Sequence, residues 1–223
     1  MKVKILVPES LAEITLEQYQ KFLKISEENE NSVFLNQKMV EIFCNIPLKE
    51  VLNIKYKSIV KIVGHLNSLF EAKPKHITIF KKDNKEFGFI PKLDDMTFGE
   101  YVDVDTTIKE WSTIHKAMGV LYRPIISKVK NRYLIEEYNS YDNYDMKKMP
   151  LDVVFGAVVF FWSLGKELLQ SMPNYLKKEM ENLTCQQKQI LEESGIGIQA
   201  YIDLVTEQLQ TSIKLPNYPF INV

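Results

Sequence analysis

Histidine and cysteine are the residues of this 223-residue chain best suited to metal binding or nucleophilic chemistry, and their spacing favours neither. His65, His76 and His115 lie far apart, and none stands at a recognised ligand spacing from a Cys, Asp or Glu. Cys44 and Cys185 lie in no nucleophile signature, and the sequence contains no Gly-x-Ser-x-Gly turn. We therefore expect a protein that is not an enzyme, with no catalytic residue, metal site or cofactor.

Two acidic segments could bind a divalent cation, at residues 103–105 and 142–145. A calcium loop needs about five oxygen ligands and a glycine at its sharp turn, and neither segment supplies both. His115 lies one turn after Trp111, which could make it a base beside an aromatic platform, but helix packing is favoured. Residues 195–197, Gly-Ile-Gly, follow a predicted helix and not a strand, so we expect a helix terminus and not a phosphate loop.

Three lysines, Lys81, Lys82 and Lys85, surround the turn of a predicted β-hairpin and are candidate interaction residues. A solvated turn whose lysines discourage edge-to-edge strand pairing is the first interpretation. Contact with a protein partner is the second, and contact with nucleic-acid phosphates is the third. A net charge of −1 argues against any overall attraction to nucleic acid or to a membrane surface.

Charge is distributed unevenly along the chain. Basic residues outnumber acidic ones from Lys49 to Lys92, whereas residues 94–110 carry six acidic residues against Lys109 alone. One interpretation is complementary contact, in which the basic part of one copy of the chain meets the acidic part of a neighbouring copy.

Residues 215–223 form an uncharged C-terminal segment with prolines at positions 216 and 219. Proline resists helix formation, so an extended tail is predicted. Tyr218, Phe220 and Ile221 are expected to bury their side chains, because an apolar extended segment needs a surface to cover it. That surface is either the chain's own core or a neighbouring subunit, on which these three side chains would serve as anchors.

Hydrophobic periodicity predicts a mostly helical chain. The predicted helices begin after Thr15, Asn31-Ser32, Thr97, Thr106 and Thr184, at Tyr56 and Pro150, and near Ser171-Pro173 and Ile198. Thr15 with Gln18 has the pattern of a capping box, which satisfies two orphan N–H groups at a helix start. In the helix that begins at Tyr56, we assign Tyr56, Ile59 and Val60 to the buried face.

Short strands are predicted within residues 3–7, 76–80, 86–90 and 129–138, and residues 81–85 join the middle two as a hairpin. Residues 153–164 are apolar in every direction of the helical period, so we expect a buried central helix there. The predicted fold is α+β and predominantly helical, with a buried central helix and a small antiparallel sheet built from hairpins. Residues 1–223 are expected to form a single α+β domain, with any subdivision near residues 91–95.

Apolar residues make up 45% of the chain and charged residues 26%, as in an ordinary soluble globular protein. Two distant cysteines provide no disulfide framework, which fits a reducing compartment. The first seven residues alternate charged and aliphatic side chains, unlike a secretory signal. No membrane span is expected, because the longest uncharged apolar run is shorter than the roughly 20 residues that cross a bilayer.

Three segments carry a resemblance to a known family. They are Thr97-Phe98-Gly99-Glu100-Tyr101, the stretch from His115 through Leu121-Tyr122-Arg123-Pro124, and Met149-Pro150-Leu151 leading into Phe160-Phe161-Trp162. On these residues the chain resembles an uncharacterised family encoded among the head and tail genes of tailed bacteriophages, particularly crAss-like phages of gut Bacteroidales. The resemblance covers most of the chain, and its motifs are packing motifs and not catalytic ones.

The resemblance implies a non-enzymatic phage protein that contacts other virion proteins and further copies of itself. Two virion roles fit: a portal- or tail-associated structural component, and a packaged cargo protein that is ejected into the host. The alternatives are a tail-assembly chaperone that is not retained in the virion and a nucleic-acid-binding or small enzymatic protein of the infected cell. The expected location is the virion, with the host cytoplasm during assembly.

Overall fold

The computed structural model describes residues 5–130 and 132–181, which belong to two compact units. Within the described residues, the first unit extends to Ala157 and the second begins at Val158, inside the last described helix. Several predictions lie outside the described residues: the helices at Thr184 and Ile198, the Gly-Ile-Gly turn at 195–197, and the tail with Tyr218, Phe220 and Ile221.

Seven helices and a four-stranded antiparallel sheet form the regular structure of the described residues, which confirms the predicted α+β class with helix predominating. The helices are α1 (Leu16–Glu28), α2 (Ser32–Phe43), α3 (Leu48–Val51), α4 (Tyr56–Phe70), α5 (Phe98–Thr107), α6 (Ile114–Leu121) and α7 (Leu151–Glu181). The strands are β1 (Ile79–Lys82), β2 (Lys85–Phe89), β3 (Tyr122–Val129) and β4 (Arg132–Ile135), which lie side by side in that order.

The predicted starts of α1 and α2 are confirmed by their caps. The Thr15 hydroxyl accepts a hydrogen bond from the Gln18 N–H at 3.3 Å, and the Gln18 side-chain oxygen accepts one from the Thr15 N–H at 2.9 Å. The Gln18 amide also donates to the Ile42 carbonyl at 2.8 Å, which ties α1 to the end of α2. At α2, the Asn31 side chain accepts from two N–H groups of the first turn.

An aromatic core joins α1 to the first turns of α7. Tyr19 is fully buried, and its ring centroid lies 5.0 Å from that of Trp111 and 5.1 Å from that of Phe155, both in edge-on contact. A two-residue antiparallel bridge pairs Thr15 with Pro150, so that the starts of α1 and α7 are held together by backbone hydrogen bonds. These contacts hold α1, the segment before α6 and the start of α7 together.

The predicted hairpin is confirmed, with a tighter turn than the sequence suggested. Asp83 and Asn84 form the turn, with φ values of 48° and 61°. Two central residues with positive φ match a type I′ turn, whose twist suits the flanking strands. Residues 91–95 then lead from β2 towards α5, while β2 itself pairs with β3. The single domain and its subdivision near residues 91–95 stay predictions.

Three predicted element boundaries are wrong. Thr106 does not cap a helix but lies inside α5, where its hydroxyl donates to the Val102 carbonyl at 2.8 Å, an alternative that Thr side chains often take. Residues 5–7 form no strand, and Leu6 is 76% exposed. The chain also enters β3 directly at Tyr122, so of the predicted strand at 129–138 only the β4 residues and the end of β3 are strand.

The buried part of α7 is shorter than predicted. Side chains are buried from Val153 to Val158, whereas those of residues 159–164 are only half-buried. The predicted restart at Ser171-Pro173 is also wrong, since α7 continues to Glu181. A proline removes one N–H from the helical ladder, and a long helix can absorb that loss.

Gly156 permits an unusually close approach of two backbone segments. A Cβ at this position would collide with the Lys75 carbonyl oxygen and would lie 3.2 Å from the His76 Cα. Neither atom belongs to a side chain that can rotate away. The segment before β1 therefore rests directly on the backbone of α7, and only glycine fits there.

We predict that Phe155→Ala lowers the free energy of unfolding by about 3–5 kcal/mol, because it empties a fully buried aromatic site. Phe160→Ala is the matched control and should cost less than half as much, since Phe160 is half-buried. Urea denaturation followed by circular dichroism measures both. Equal losses, or a larger loss for Phe160→Ala, would contradict the observed end of the core.

Candidate protein-interaction faces

A buried ion pair attaches α5 to the start of β3. The Arg123 Nη2 lies 2.6 Å from the Glu100 Oε1, and the two residues are only 7% and 4% exposed. The other carboxylate oxygen of Glu100 accepts hydrogen bonds from the Thr97 N–H at 2.7 Å and the Thr97 hydroxyl at 2.8 Å. Thr97 in turn caps α5, which confirms its prediction as an N-cap. Glu100 thus joins a helix start to a strand.

Tyr138 and Asp103 extend this polar cluster. The Tyr138 hydroxyl donates to the Asp103 carboxylate, and the Arg123 guanidinium lies over the Tyr138 ring, 5.7 Å from its centroid. Burial, followed by the hydrogen bond to Asp103, raises the pKa of Tyr138, so the phenol stays a donor at neutral pH. Both carboxylate oxygens of Glu100 thus have polar partners within the cluster. The cluster positions α5.

The outward side of α5 is apolar. Phe98 is 83% exposed and Tyr101 59%, with Val102 beside them, and their spacing of three and four residues places them on one side of the helix. This orientation follows from Glu100 and Val104, which are buried on the opposite side. Exposed carboxylates lie on α5 and on the chain segments that flank it: Asp94, Asp95, Asp105 and Glu110. We call the surface of Phe98, Tyr101, Val102 and these four residues the acidic apolar face.

A second apolar surface lies on α3 and α4. Leu52 lies at the C-terminal end of α3, and Tyr56 and Val60 lie four residues apart on α4; the three are 62%, 78% and 50% exposed. The assignment of Tyr56 and Val60 to the buried side of α4 is therefore wrong, whereas Ile59 is buried as predicted. Exposed lysines accompany these residues along α3, α4 and the segment between them: Lys49, Lys55, Lys57 and Lys61. We call the surface of Leu52, Tyr56, Val60 and these lysines the basic apolar face.

The three lysines predicted as interaction residues meet at the tip of the β1–β2 hairpin. Lys81 and Lys85 are exposed, but the side chain of Lys82 is only 12% exposed and its Nζ lies 3.2 Å from Asp83. The Lys81 Nζ lies 3.7 Å from the Glu86 carboxylate. Acidic neighbours thus reduce the net charge of the tip. Its role in binding a partner stays a prediction.

The histidines of the described residues each have a structural contact. The His65 Nε2 lies 2.9 Å from the Pro8 carbonyl, and His76 packs edge-on against Phe89. Across residues 5–130 and 132–181, no group of three or more His, Cys, Asp or Glu side chains could hold a metal ion. Burial raises the pKa of Cys44 to about 11, which keeps that thiol protonated and unreactive at neutral pH. The expected absence of a metal or cofactor stays a prediction.

A solvent-open groove of about 640 Å³ runs between α1 and the segment before α6, and no sequence motif indicated it. Trp111 and Leu23 line its apolar part, and lysines and glutamates alternate along its rim. The Gln20 amide spans the groove and donates to the Trp111 carbonyl and, at 3.2 Å, to the His115 Nδ1. The His115 ring therefore has a side-chain contact with α1.

None of the helices in the described part of the chain is long and apolar enough to cross a lipid bilayer.

The apolar faces on α4 and α5 are signals that the sequence contained. In both helices, apolar residues occur on two sides, and a helix that packs against only one neighbour can bury only one side. The sequence did not indicate which side that would be.

We predict that Arg123→Met destabilises the fold by about 3–5 kcal/mol, because Glu100 would remain buried without its counter-charge. Adding Glu100→Gln should recover part of that loss, since an amide oxygen keeps the hydrogen bonds to Thr97 without a charge. Urea denaturation of the single and double variants tests this coupling. Losses that simply add would show that the pair does not act as one unit.

We also predict that His115 makes the fold sensitive to mild acid. Burial, then the charges of Lys147 and Lys116, lowers its pKa, against the opposing carboxylates of Asp142 and Asp145. A lowered pKa in the folded state means that the unfolded chain binds more protons, so stability falls as the pH drops below the ordinary histidine value of about 6.5.

The test compares thermal midpoints at pH 7.5 and 5.5. The thermal midpoint of the wild-type chain should be lower at pH 5.5 than at pH 7.5. The decrease should be smaller for His115→Gln. Some sensitivity should remain, because burial also lowers the pKa of His76. An identical fall in both proteins would show that His115 has no part in it.

Comparison with known proteins gives no relative from which a function can be transferred. No family model, curated protein or solved structure matches the chain. The functional argument therefore depends on the residues and contacts described above, together with the resemblance noted in the sequence.

Proposed function

We propose that this chain is a non-enzymatic component of a tailed-phage virion that acts through protein–protein contacts. It is either a portal- or tail-associated structural protein or a packaged cargo protein that is ejected into the host. The observation that carries the proposal is the acidic apolar face, on which Phe98 is 83% exposed while its helix is fixed by a buried ion pair.

Contiguous apolar side chains on a rigid element support contact with protein. Single exposed apolar residues are common, but grouped ones with a polar rim mark interaction sites. Aromatic side chains carry much of the energy in protein interfaces, and Phe98, Tyr101 and Tyr56 lie at the centres of the two faces. A pre-ordered helix loses little conformational freedom when it binds, which also favours association.

The phage assignment comes from the resemblance in the sequence. Its motif residues contribute to packing: Thr97 and Glu100 build the capping box of α5, Arg123 completes the ion pair, and Leu151 begins α7. These roles agree with a family whose motifs are of packing type. They support a protein whose task depends on shape and contact.

A nucleic-acid-binding protein of the infected cell is the second candidate. The observation in its favour is the basic apolar face, where four exposed lysines surround the exposed ring of Tyr56. Cations beside an aromatic ring suit a single strand, whose bases stack on the ring while lysines contact phosphates. Nucleic-acid binding would leave the acidic apolar face without a role, which is why we rank this function second.

Mass spectrometry of purified particles distinguishes these functions. A virion component or cargo protein should be present at a constant ratio to the capsid protein. A tail-assembly chaperone or a protein of the infected cell should be abundant in the lysate and absent from the particles. Absence from particles would overturn the proposal.

A phage carrying Phe98→Asp should package several-fold less of the protein, because a carboxylate replaces the apolar centre of the acidic apolar face. Aspartate in the first turn suits the helix dipole, so α5 should still form. Val129→Asp is the matched control, since Val129 is 67% exposed on β3 and outside both faces. Equal incorporation of the two variants would show that this face is not the contact.

A further inference from the structure

We propose that the acidic apolar face of one copy of this chain binds the basic apolar face of a second copy. The inference rests on the proposed function in one respect, namely that these faces serve contact with protein. It goes further because it names the partner, which is the chain itself, and the two surfaces that meet.

The charges of the two faces are complementary. On the acidic side, four carboxylates are exposed, and two of them are paired with lysines: the Nζ atoms of Lys92 and Lys109 lie 3.6 Å from Asp95 and 3.0 Å from Asp105. On the basic side, four lysines are exposed, and Glu50, which follows Lys49 in the chain, is half-buried. None of those four lysines forms an ion pair with another described residue, so their charge is available to a partner. Opposite charges of this kind steer encounter and fix the register of a complex.

The apolar centre on α4 also has open space beside it. Tyr56, Val60 and Gly64 follow one another at four-residue spacing along α4, and Gly64 leaves open space where a side chain would stand. Helices pack when a ridge of one lies in a groove of the other. Phe98, at the first turn of α5, is a projecting side chain that can enter such a groove between Val60 and the surface beside Gly64.

This pairing has a definite symmetry. Two acidic faces cannot pair, nor can two basic ones, because like charges would meet around a centre from which water is excluded. The contact therefore joins different surfaces and is heterologous, so each added copy still presents one unused face at each end of the assembly. Copies add head to tail and form either a closed ring or a filament.

Charge reversal provides the test on the full chain. Asp94→Lys with Asp105→Lys inverts the acidic apolar face, and Lys57→Glu with Lys61→Glu inverts the basic one. Each double variant alone should associate roughly ten- to a hundredfold more weakly than the wild type, since it brings like charges together. Analytical ultracentrifugation and light scattering measure the assembly, and thermal unfolding verifies that each variant folds.

Mixing the two variants is the decisive measurement. Each variant retains the native face that is charge-reversed in the other, so the two native faces can still pair. The two charge-reversed faces are also of opposite sign, so the mixture should assemble as the wild type does. Association of the wild type should also weaken as the salt concentration rises, because these charges lie at the surface. Failure of the mixture to assemble would overturn the proposal.

Lys128→Glu with Arg132→Glu is the matched control. It reverses two exposed charges on β3 and β4, next to the exposed side chains of Val129 and Leu134 but outside both faces. Assembly of this variant should equal that of the wild type, and its loss would place the basic contact on the hairpin instead. A wild-type chain that stays monomeric, yet is found in purified particles, would overturn self-assembly and leave the proposed function intact.

Discussion

The buried pair of Glu100 and Arg123 is the interaction on which the arrangement of α5 depends. Removing two charges from water is costly, and the 2.6 Å separation and the bonds from Thr97 to Glu100 offset that cost, although the buried Arg123 Nε has no hydrogen-bond partner in the described part of the chain. The need for this pairing fixes the rotation of α5 about its own axis. Because Glu100 must face β3, Phe98 and Tyr101 must face solvent. The exposed aromatic surface is thus a consequence of a polar contact on the opposite side.

The two charged faces show how a chain with a net charge of −1 can still carry strong local fields. Positive and negative residues are separated along the sequence, and the fold keeps them on different elements, α4 and α5. Short-range pairs such as Lys109 with Asp105 partly offset this separation. Negative groups therefore predominate on the acidic apolar face and positive groups on the basic one, although the whole molecule is almost neutral.

Much of the fold was predictable from local signals, and the interaction faces were not. Caps at Thr15, Asn31 and Thr97 and the β1–β2 hairpin follow from residues that bond to their own neighbours, so short sequence windows contain them. The inward side of α4 was misassigned because Ile59 and Val60 are both apolar, and only the surrounding elements decide between them. The ion pair joins residues 23 positions apart, and no periodic pattern marks such a contact.

The close contact at Gly156 determines where the chain could accept foreign residues. Residues 71–75 are mostly exposed and look like a natural place for a tag. Yet the chain is held at two points at the end of this segment and just after it. The Lys75 carbonyl packs against the backbone of α7 at Gly156, and the Tyr122 hydroxyl donates to the Ile77 carbonyl at 2.7 Å. An inserted peptide there would push directly on the helix that closes the core. The turn at Asp83-Asn84 has no such restraint, so a reporter group belongs at that end of the hairpin.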